Sequence, residues 1–285
     1  MLTPVLLWST VFPLSKLLLE VMPPTTLAAL RFSVGAVVLL AYAVYFFSWR
    51  EMRLSFVRNW KTYLAMGFVG VFLNNFLQNL GLTMTSASSA ALLGTLDPIF
   101  TTVLSAFLLG EKLTRSKAIG LACAFSGVVL VITNGQWVED WGQSVGNLLV
   151  VGAALGYSVY TLQSKAILRT EKPPIVVAWA TTIGAVMLIF TAIVLEGWPS
   201  LAHLTMTHLV VLAYLSIVPT SIAVVAYFYL LERVQASQAA VTLFLIPIFG
   251  ITWAALLLGE RLTMAMLAGG ALIIFGVWLT MLRRT

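Results

Sequence analysis

Charged side chains are scarce in this sequence. Lys and Arg number 16 and Asp and Glu 10 among 285 residues, so 9% of the chain is charged, against about a quarter in ordinary soluble domains. Too few polar groups remain to cover a water-facing surface, which excludes a soluble globular domain of this size. Cysteine is down to one residue, Cys123; an internal disulfide is excluded, and a small buried side chain is the expected role. Histidine is down to two, His203 and His208, at positions that do not set both imidazoles on one helical face, so no metal site and no cofactor are expected. No Gly-x-Ser-x-Gly motif occurs and both histidines lie near one end of an apolar run, which leaves no equipment for a hydrolase. Long polar linkers and low-complexity tracts are missing too.

What is present is apolar. Hydrophobic residues make up 60% of the chain and the mean hydropathy is +1.00. Runs of about 20 apolar residues, the length that crosses a bilayer core, are read near 2–21, 24–47, 62–82, 86–110, 117–133, 145–168, 175–196, 207–231, 236–259 and 263–282. Breaks between them fall at Pro23-Pro24, the charged segment Arg50 to Lys61, Glu111-Lys112, Glu139-Asp140, Pro173-Pro174, Gly197 to Pro199, Glu232-Arg233 and Glu260-Arg261. Backbone groups in lipid must bond within their own segment, and these runs are too long and too uniformly apolar for barrel strands. The expectation is an all-α membrane protein of ten transmembrane helices. The first run lacks a positive leader and has a counterpart at 145–168, so it is read as a span and not as a signal peptide.

The chain repeats itself. Pro98 to Leu130 returns as Pro247 to Leu279, an offset of 149 (247 − 98), with Gly110-Glu111 matching Gly259-Glu260 and Gly127 matching Gly276. Ser15-Lys16 pairs with Ser164-Lys165 at the same offset, and Ala87 with Ala236. Two five-helix repeats are expected, 1–138 and 144–285. An odd number of spans per repeat makes them cross the membrane in opposite directions, and the charges agree. Arg115 and Lys117 follow the first Gly-Glu motif where Met264 and Met266 follow the second, so one copy of that turn is basic and the other is not. Arg50, Arg53, Arg58, Lys61, Lys165, Arg169, Lys172, Arg283 and Arg284 fall on that basic side, which the positive-inside rule makes cytoplasmic. Both termini are expected in the cytoplasm, probed by the net charge of +6, which reads as membrane orientation and not as affinity for nucleic acid.

Inverted repeats that rock about a shared axis convert an inward-open cavity into an outward-open one. Here the sequence resembles a known group. Trp8-Ser9, Pro24 with Arg31, the run Ser86-Ala87-Ser88-Ser89-Ala90-Ala91 leading to Pro98, and Leu109-Gly110-Glu111-Lys112-Leu113-Thr114 with Gly120 and Gly127 carry the resemblance. So do their partners Ala236 to Ala240, Pro247, Leu258 to Thr263, Gly269 and Gly276. Over its whole length the chain is similar to the drug/metabolite transporter superfamily, EamA-type ten-helix carriers. The resemblance implies a secondary carrier in the bacterial cytoplasmic membrane, often an exporter of amino acids or other metabolites, with a small-molecule substrate. The small multidrug branch of that superfamily uses a buried glutamate in its first helix, which this chain lacks.

Candidate site residues are polar or aromatic side chains at membrane depth, where they cost free energy unless they face a cavity or a partner. Asn74, Asn75, Gln78 and Asn79 in the third span form one polar stripe at helical spacing, either gluing helices together or lining a cavity. At the 149 offset Trp8 maps onto Tyr157 and Gln78 onto Tyr227, so Trp8, Asn75, Gln78, Asn79, Tyr157, Tyr160, Tyr227 and Gln238 are expected around a substrate. Asp97 is expected about 16 Å into the fourth span, close to the bilayer centre. Its carboxylate either couples protons, binds a substrate amine, or forms a structural ion pair with Arg31 or Lys16. Arg31 itself either snorkels to the headgroups, pairs structurally, or binds an anion. Pro98 and Pro247 are expected to kink their helices as hinges. Glu111 and Glu260 read as loop caps.

Rings and amides suit a small zwitterion such as an amino acid. The other readings are export of drugs or amphipathic solutes, and a channel or scramblase. Beyond substrate and bilayer the sequence calls for no partner, and a monomer is expected.

Overall fold

The computed structural model of the chain describes residues 3–97, 99–101, 103–104, 115–133, 141–197, 203–233, 243 and 245–281. In order these form α1 (Thr3–Ser9), α2 (Val11–Leu19), α3 (Pro24–Phe47), α4 (Trp49–Met66), a π-helical segment (Gly67–Leu73), α5 (Asn74–Met84) and α6 (Ala87–Gly94). There follow α7 (Arg115–Thr133), α8 (Trp141–Ile167), α9 (Pro173–Glu196), α10 (Met206–Ile217), a second π segment (Val218–Ala223), α11 (Val224–Arg233), α12 (Leu245–Leu258) and α13 (Met264–Met281). No strand occurs among the described residues. The fold is the ten-helix all-α membrane fold. α1 and α2 make the first span, α4 continues through the first π segment into α5 as the third, and α10 continues through the second into α11 as the eighth. Outward faces carry exposed apolar side chains such as Val37, Phe125, Phe190 and Leu256, for which lipid is the natural solvent.

One boundary differs from expectation. Arg50 to Lys61 is not a break but the body of α4, because Arg, Glu, Met and Leu are good helix formers and the charge ends the apolar span without ending the helix. Ser48, at φ 59°, caps it by accepting the Glu51 N–H at 3.4 Å. The bend comes at Asn59 (φ −121°, ψ 19°), whose side-chain amide donates to Ser55 O at 3.2 Å and to Glu171 Oε1 at 2.6 Å.

The two π segments occupy matching places in the third and eighth spans, since Gly70 and Pro219 are 149 residues apart. Each has a local cause. Pro219 has no N–H to give the preceding turn, and the hydroxyls of Thr220 and Ser221 serve freed carbonyls instead, at Leu215 O (2.8 Å) and Ser216 O (3.1 Å). In the first copy the side chain of Asn75 donates to Val71 O at 2.8 Å. Gly35 of α3 lies against the second π segment, where a Cβ would come within 2.8 Å of Thr220 Cγ2. Its mate Gly184 of α9 lies against Val71 and Gly67 of the first. The halves therefore interlock in a reciprocal way.

A second reciprocal contact joins α7 and α13, which run antiparallel. Gly127 faces Gly269 and Gly276 faces Gly120, so closely that a Cβ on Gly127 would stand 2.5 Å from Gly269 O and 2.8 Å from Ile273 N. Backbone meets backbone there, as small residues allow in lipid. Gly127→Leu is expected to destabilise the protein by about 1–3 kcal/mol or more, the cost of forcing volume into a filled interface. A melting curve in detergent checks it, with Ser126→Leu on the exposed side of the same helix unchanged.

Both ends of the bundle are tied. Lys16 Nζ donates to Leu82 O and Thr85 O, each at 2.6 Å, closing the C-terminal end of α5; its mate Lys165 donates to Leu231 O at 2.7 Å and Glu232 O at 3.4 Å at the end of α11. At the Lys16 end two carboxylates cap helix starts from a distance. Glu260 accepts from Ala87 N (2.7 Å), Ser88 N (3.0 Å) and Ser88 Oγ (2.6 Å), and Glu196 accepts from Thr25 N (2.8 Å), Thr26 N (2.7 Å) and Thr26 Oγ1 (2.8 Å). At the opposite end the buried carboxylate of Glu171 accepts from Ser55 Oγ at 2.6 Å and pairs with Arg58.

The fourth span is interrupted. α6 ends at Gly94, a turn runs through Thr95 and Leu96, and helical backbone resumes at Asp97. In the second copy Leu243, the mate of Gly94, is likewise in a turn, and α12 begins at Leu245. Pro247 thus lies in the first turn of a new helix, where its missing N–H costs nothing, instead of kinking a continuous one. Pro247 therefore does not kink a continuous helix: the interruption described is the turn at Leu243, before it. Pro98 and Glu111 lie outside the described residues.

Candidate functional site

A cavity of about 1100 Å³, counting the open space at its mouth, lies between the halves at mid-span. Elements of both contribute: α1 and α2, α3, the first π segment with α5, and α6 from one side; α8, α9, the second π segment and the start of α12 from the other. Trp8, Asn75, Gln78, Asp97, Tyr157 and Tyr160, all expected from the sequence, line it. Arg31 lines it as well. Tyr227 is buried behind Trp8, with ring centroids 5.2 Å apart, while Tyr157 stands edge-on to Trp8 at 6.4 Å. Asn79 is buried away from the cavity and donates to Asn75 O at 2.9 Å, so its amide holds its own helix. Asn74 lines the cavity and also donates to Ala153 O at 2.8 Å, tying α5 to α8. Gln238 lies outside the described residues.

Asp97 is 5% exposed. Its Oδ1 accepts from Ser158 Oγ at 2.6 Å and from Thr101 Oγ1 at 3.2 Å, and the hydroxyl of Ser158 also lies 2.9 Å from Asp97 O. Among the described residues Oδ2 takes no hydrogen bond. Neither expected ion pair is formed. Lys16 is occupied at the bundle end by two backbone carbonyls, and Arg31 points inward to Thr220 Oγ1, 2.8 Å from its Nε. Snorkelling is overturned as well, for Arg31 is 5% exposed with its guanidinium carbon 5.1 Å from the Phe32 ring centre. Arg31 Nη1 is buried with no partner, and so are the hydroxyls of Tyr157 and Tyr227. Buried polar atoms are ordinarily satisfied, so these three partnerless atoms, two of them on cavity-lining residues and the third just behind, stand out among the described residues.

Trp8 connects the pieces. Its Nε1 donates to Pro219 O at 2.9 Å, a carbonyl of the second π segment, next to the Thr220 that holds Arg31. Its ring meets Tyr157, next to the Ser158 that holds Asp97. Tyr160 packs across Gly70 so tightly that no side-chain atom fits there. Sequence reasoning missed Ser158 and Thr220, and also Thr95 and Thr181 on the wall. Ser158 was within reach, as the 149-residue mate of Ser9 in the matching pair Trp8-Ser9 and Tyr157-Ser158. The cluster Ser216, Pro219, Thr220 and Ser221 inside an apolar run was the signal for the other.

The family model described as EamA-like transporter family matches residues 1–133 and again 144–282. A protein of Salmonella typhimurium named "Probable amino-acid metabolite efflux pump" is 30% identical over 288 residues, covering 96% of this chain and 91% of its own. Its Escherichia coli namesake is 29% identical over 286 residues, covering 96% and 91%. An "Uncharacterized transporter" of Archaeoglobus fulgidus is 28% identical over 282 residues, covering 97% and 95%. One solved crystal structure shares the fold with a TM-score of 0.72 at 24% identity, over 97% of this chain and 93% of that one. Apolar helices, a cavity between the halves and a family match on each half lead to one assignment: the chain is an integral multi-pass membrane protein and a transporter, and it belongs to the EamA-like transporter family.

Proposed function

We propose that the protein is a secondary transporter that exports small metabolites, amino acids above all, by alternating access. The halves 1–138 and 144–285 rock against each other about the cavity, in a cytoplasmic membrane with both termini in the cytoplasm. The observation that carries this reading is the cavity itself, walled by both halves at mid-span, beside two π segments and two interrupted helices. Irregular backbone at membrane depth is tolerated where it lines a cavity, and repeats of opposite orientation supply two equivalent arrangements for it. The ties at either end, Glu260 and Glu196 on one face and Glu171 and Lys165 on the other, are the contacts that would open in turn. The printed names of the Salmonella and Escherichia coli relatives support an amino-acid cargo.

Purified protein in liposomes loaded with unlabelled amino acids tests the reading. Uptake of a labelled amino acid is expected to saturate and to accelerate when amino acid is present inside. Linear flux without exchange would identify a channel or scramblase and discard alternating access.

A further inference from the structure

We infer that the cavity is a zwitterion site, in which Arg31 takes the carboxylate and Asp97 the ammonium of an α-amino acid. The inference rests on the carrier reading and names its recognition chemistry. Among the lining residues Arg31 is the cation and Asp97 the carboxylate, and each is buried without an oppositely charged protein partner. A buried charge left uncompensated is unfavourable, so each side chain calls for an opposite charge from elsewhere. Each also has a free hydrogen-bonding atom. Nη1 of Arg31 has no acceptor, and Asp97 directs both of its side-chain bonds through Oδ1, leaving Oδ2.

Both anchors are linked to one indole through their partners. Trp8 touches Pro219, the neighbour of the Thr220 that fixes Arg31, and Tyr157, the neighbour of the Ser158 that fixes Asp97. The pair also rejects other solutes. A phosphate ester would face Asp97, and a cationic amphiphile would face Arg31, each bringing like charge into a buried site. Both poles come from the first half, because the mates of Arg31 and Asp97 are Ala180 and Ile246. Opposing charges at unmatched positions belong to one ligand's orientation and not to the symmetric scaffold.

The cavity also presents the rings of Trp8, Phe12, Phe32, Tyr157 and Tyr160, so L-phenylalanine is the probe. Binding to purified protein is measured by calorimetry for phenylalanine, for phenylalaninamide, which lacks the carboxylate, and for 3-phenylpropionate, which lacks the ammonium. Wild type is expected to bind each analogue at least tenfold more weakly than the amino acid. Arg31→Gln should remove the penalty on the amide alone, and Asp97→Asn the penalty on 3-phenylpropionate alone. Equal affinity of wild type for all three ligands, or no binding of phenylalanine, would overturn the zwitterion site, as would variants that fold but lose all three alike. The wild-type comparison decides even if a variant does not fold. Saturable exchange of some other solute would then leave the carrier standing, whereas absence of any saturable exchange would remove the carrier itself.

Discussion

Gly70→Ala is expected to abolish transport while leaving the protein folded but weakened. The added methyl would overlap Cβ, Cγ and Cδ2 of Tyr160, a rigid ring buried at 3% exposure between Tyr157 and Phe228. A flexible side chain would swing aside; a ring held by two others has to carry them with it. Overpacking of this kind costs about 1–3 kcal/mol in stability. The functional effect is larger, because Tyr160 and Gly70 both line the cavity and Tyr157, Trp8 and the first π segment adjoin them. Exchange in liposomes should fall at least tenfold, and a melting curve should fall with it. In a Tyr160→Ala background, Gly70→Ala should cost little further stability, since the overlapping partner is gone, and transport should not return. If the double variant is as unstable as the sum of the singles, the two residues are not coupled and the clash is not the cause.

Glu260→Ala is the second. Glu260 accepts three hydrogen bonds from Ala87 and Ser88 at the start of α6, across 172 to 173 residues of sequence. Hydrogen bonds to a charged group contribute about 1.5–3 kcal/mol each at most, and part of that returns when water takes the place of the carboxylate. A net loss of about 1.4 kcal/mol would already shift the open and closed populations of that end tenfold. In a Cys123→Ala background, a cysteine at Ser88 should then react at least ten times faster with a membrane-impermeant thiol reagent added from the Lys16 side. Glu260→Gln, which keeps the shape and can still accept, should lie between. Unchanged labelling in the alanine variant would mean that the cap holds the helix but does not hold the end closed.

The scaffold was legible in the sequence because its determinants are local. Twenty-residue apolar runs, Pro24 and Pro173 at helix starts, and a repeat with inverted charge are properties of a chain read in order. The site was legible where symmetry pointed to it, as for Trp8 with Tyr157. It was not legible where a side chain's partner lies far along the chain. For Arg31 the sequence leaves snorkelling, structural pairing and anion binding open, because long cations near helix ends often turn outward, yet Thr220, 189 residues away, draws it inward. Lys16 was offered to Asp97 on grounds of charge, but the unpaired carbonyls at the end of α5 are nearer and stronger claimants. Pro247 showed that a proline in an apolar run marks a helix start as readily as a kink, and only the turn at Leu243 distinguishes the two.

The contact between α7 and α13 bears on how such a chain came to be. Gly120 and Gly127 occupy the same two places in the first half that Gly269 and Gly276 occupy in the second, and each contact joins one place to the other. The surface is therefore complementary to itself turned upside down. A lone five-helix half carries everything needed to pair with an inverted copy of its own sequence across that line of glycines. Two separate identical polypeptides, however, could hold only symmetric side chains around their shared void. A single chain is free of that constraint, and Arg31 and Asp97 stand at positions whose mates in the other half are Ala180 and Ile246.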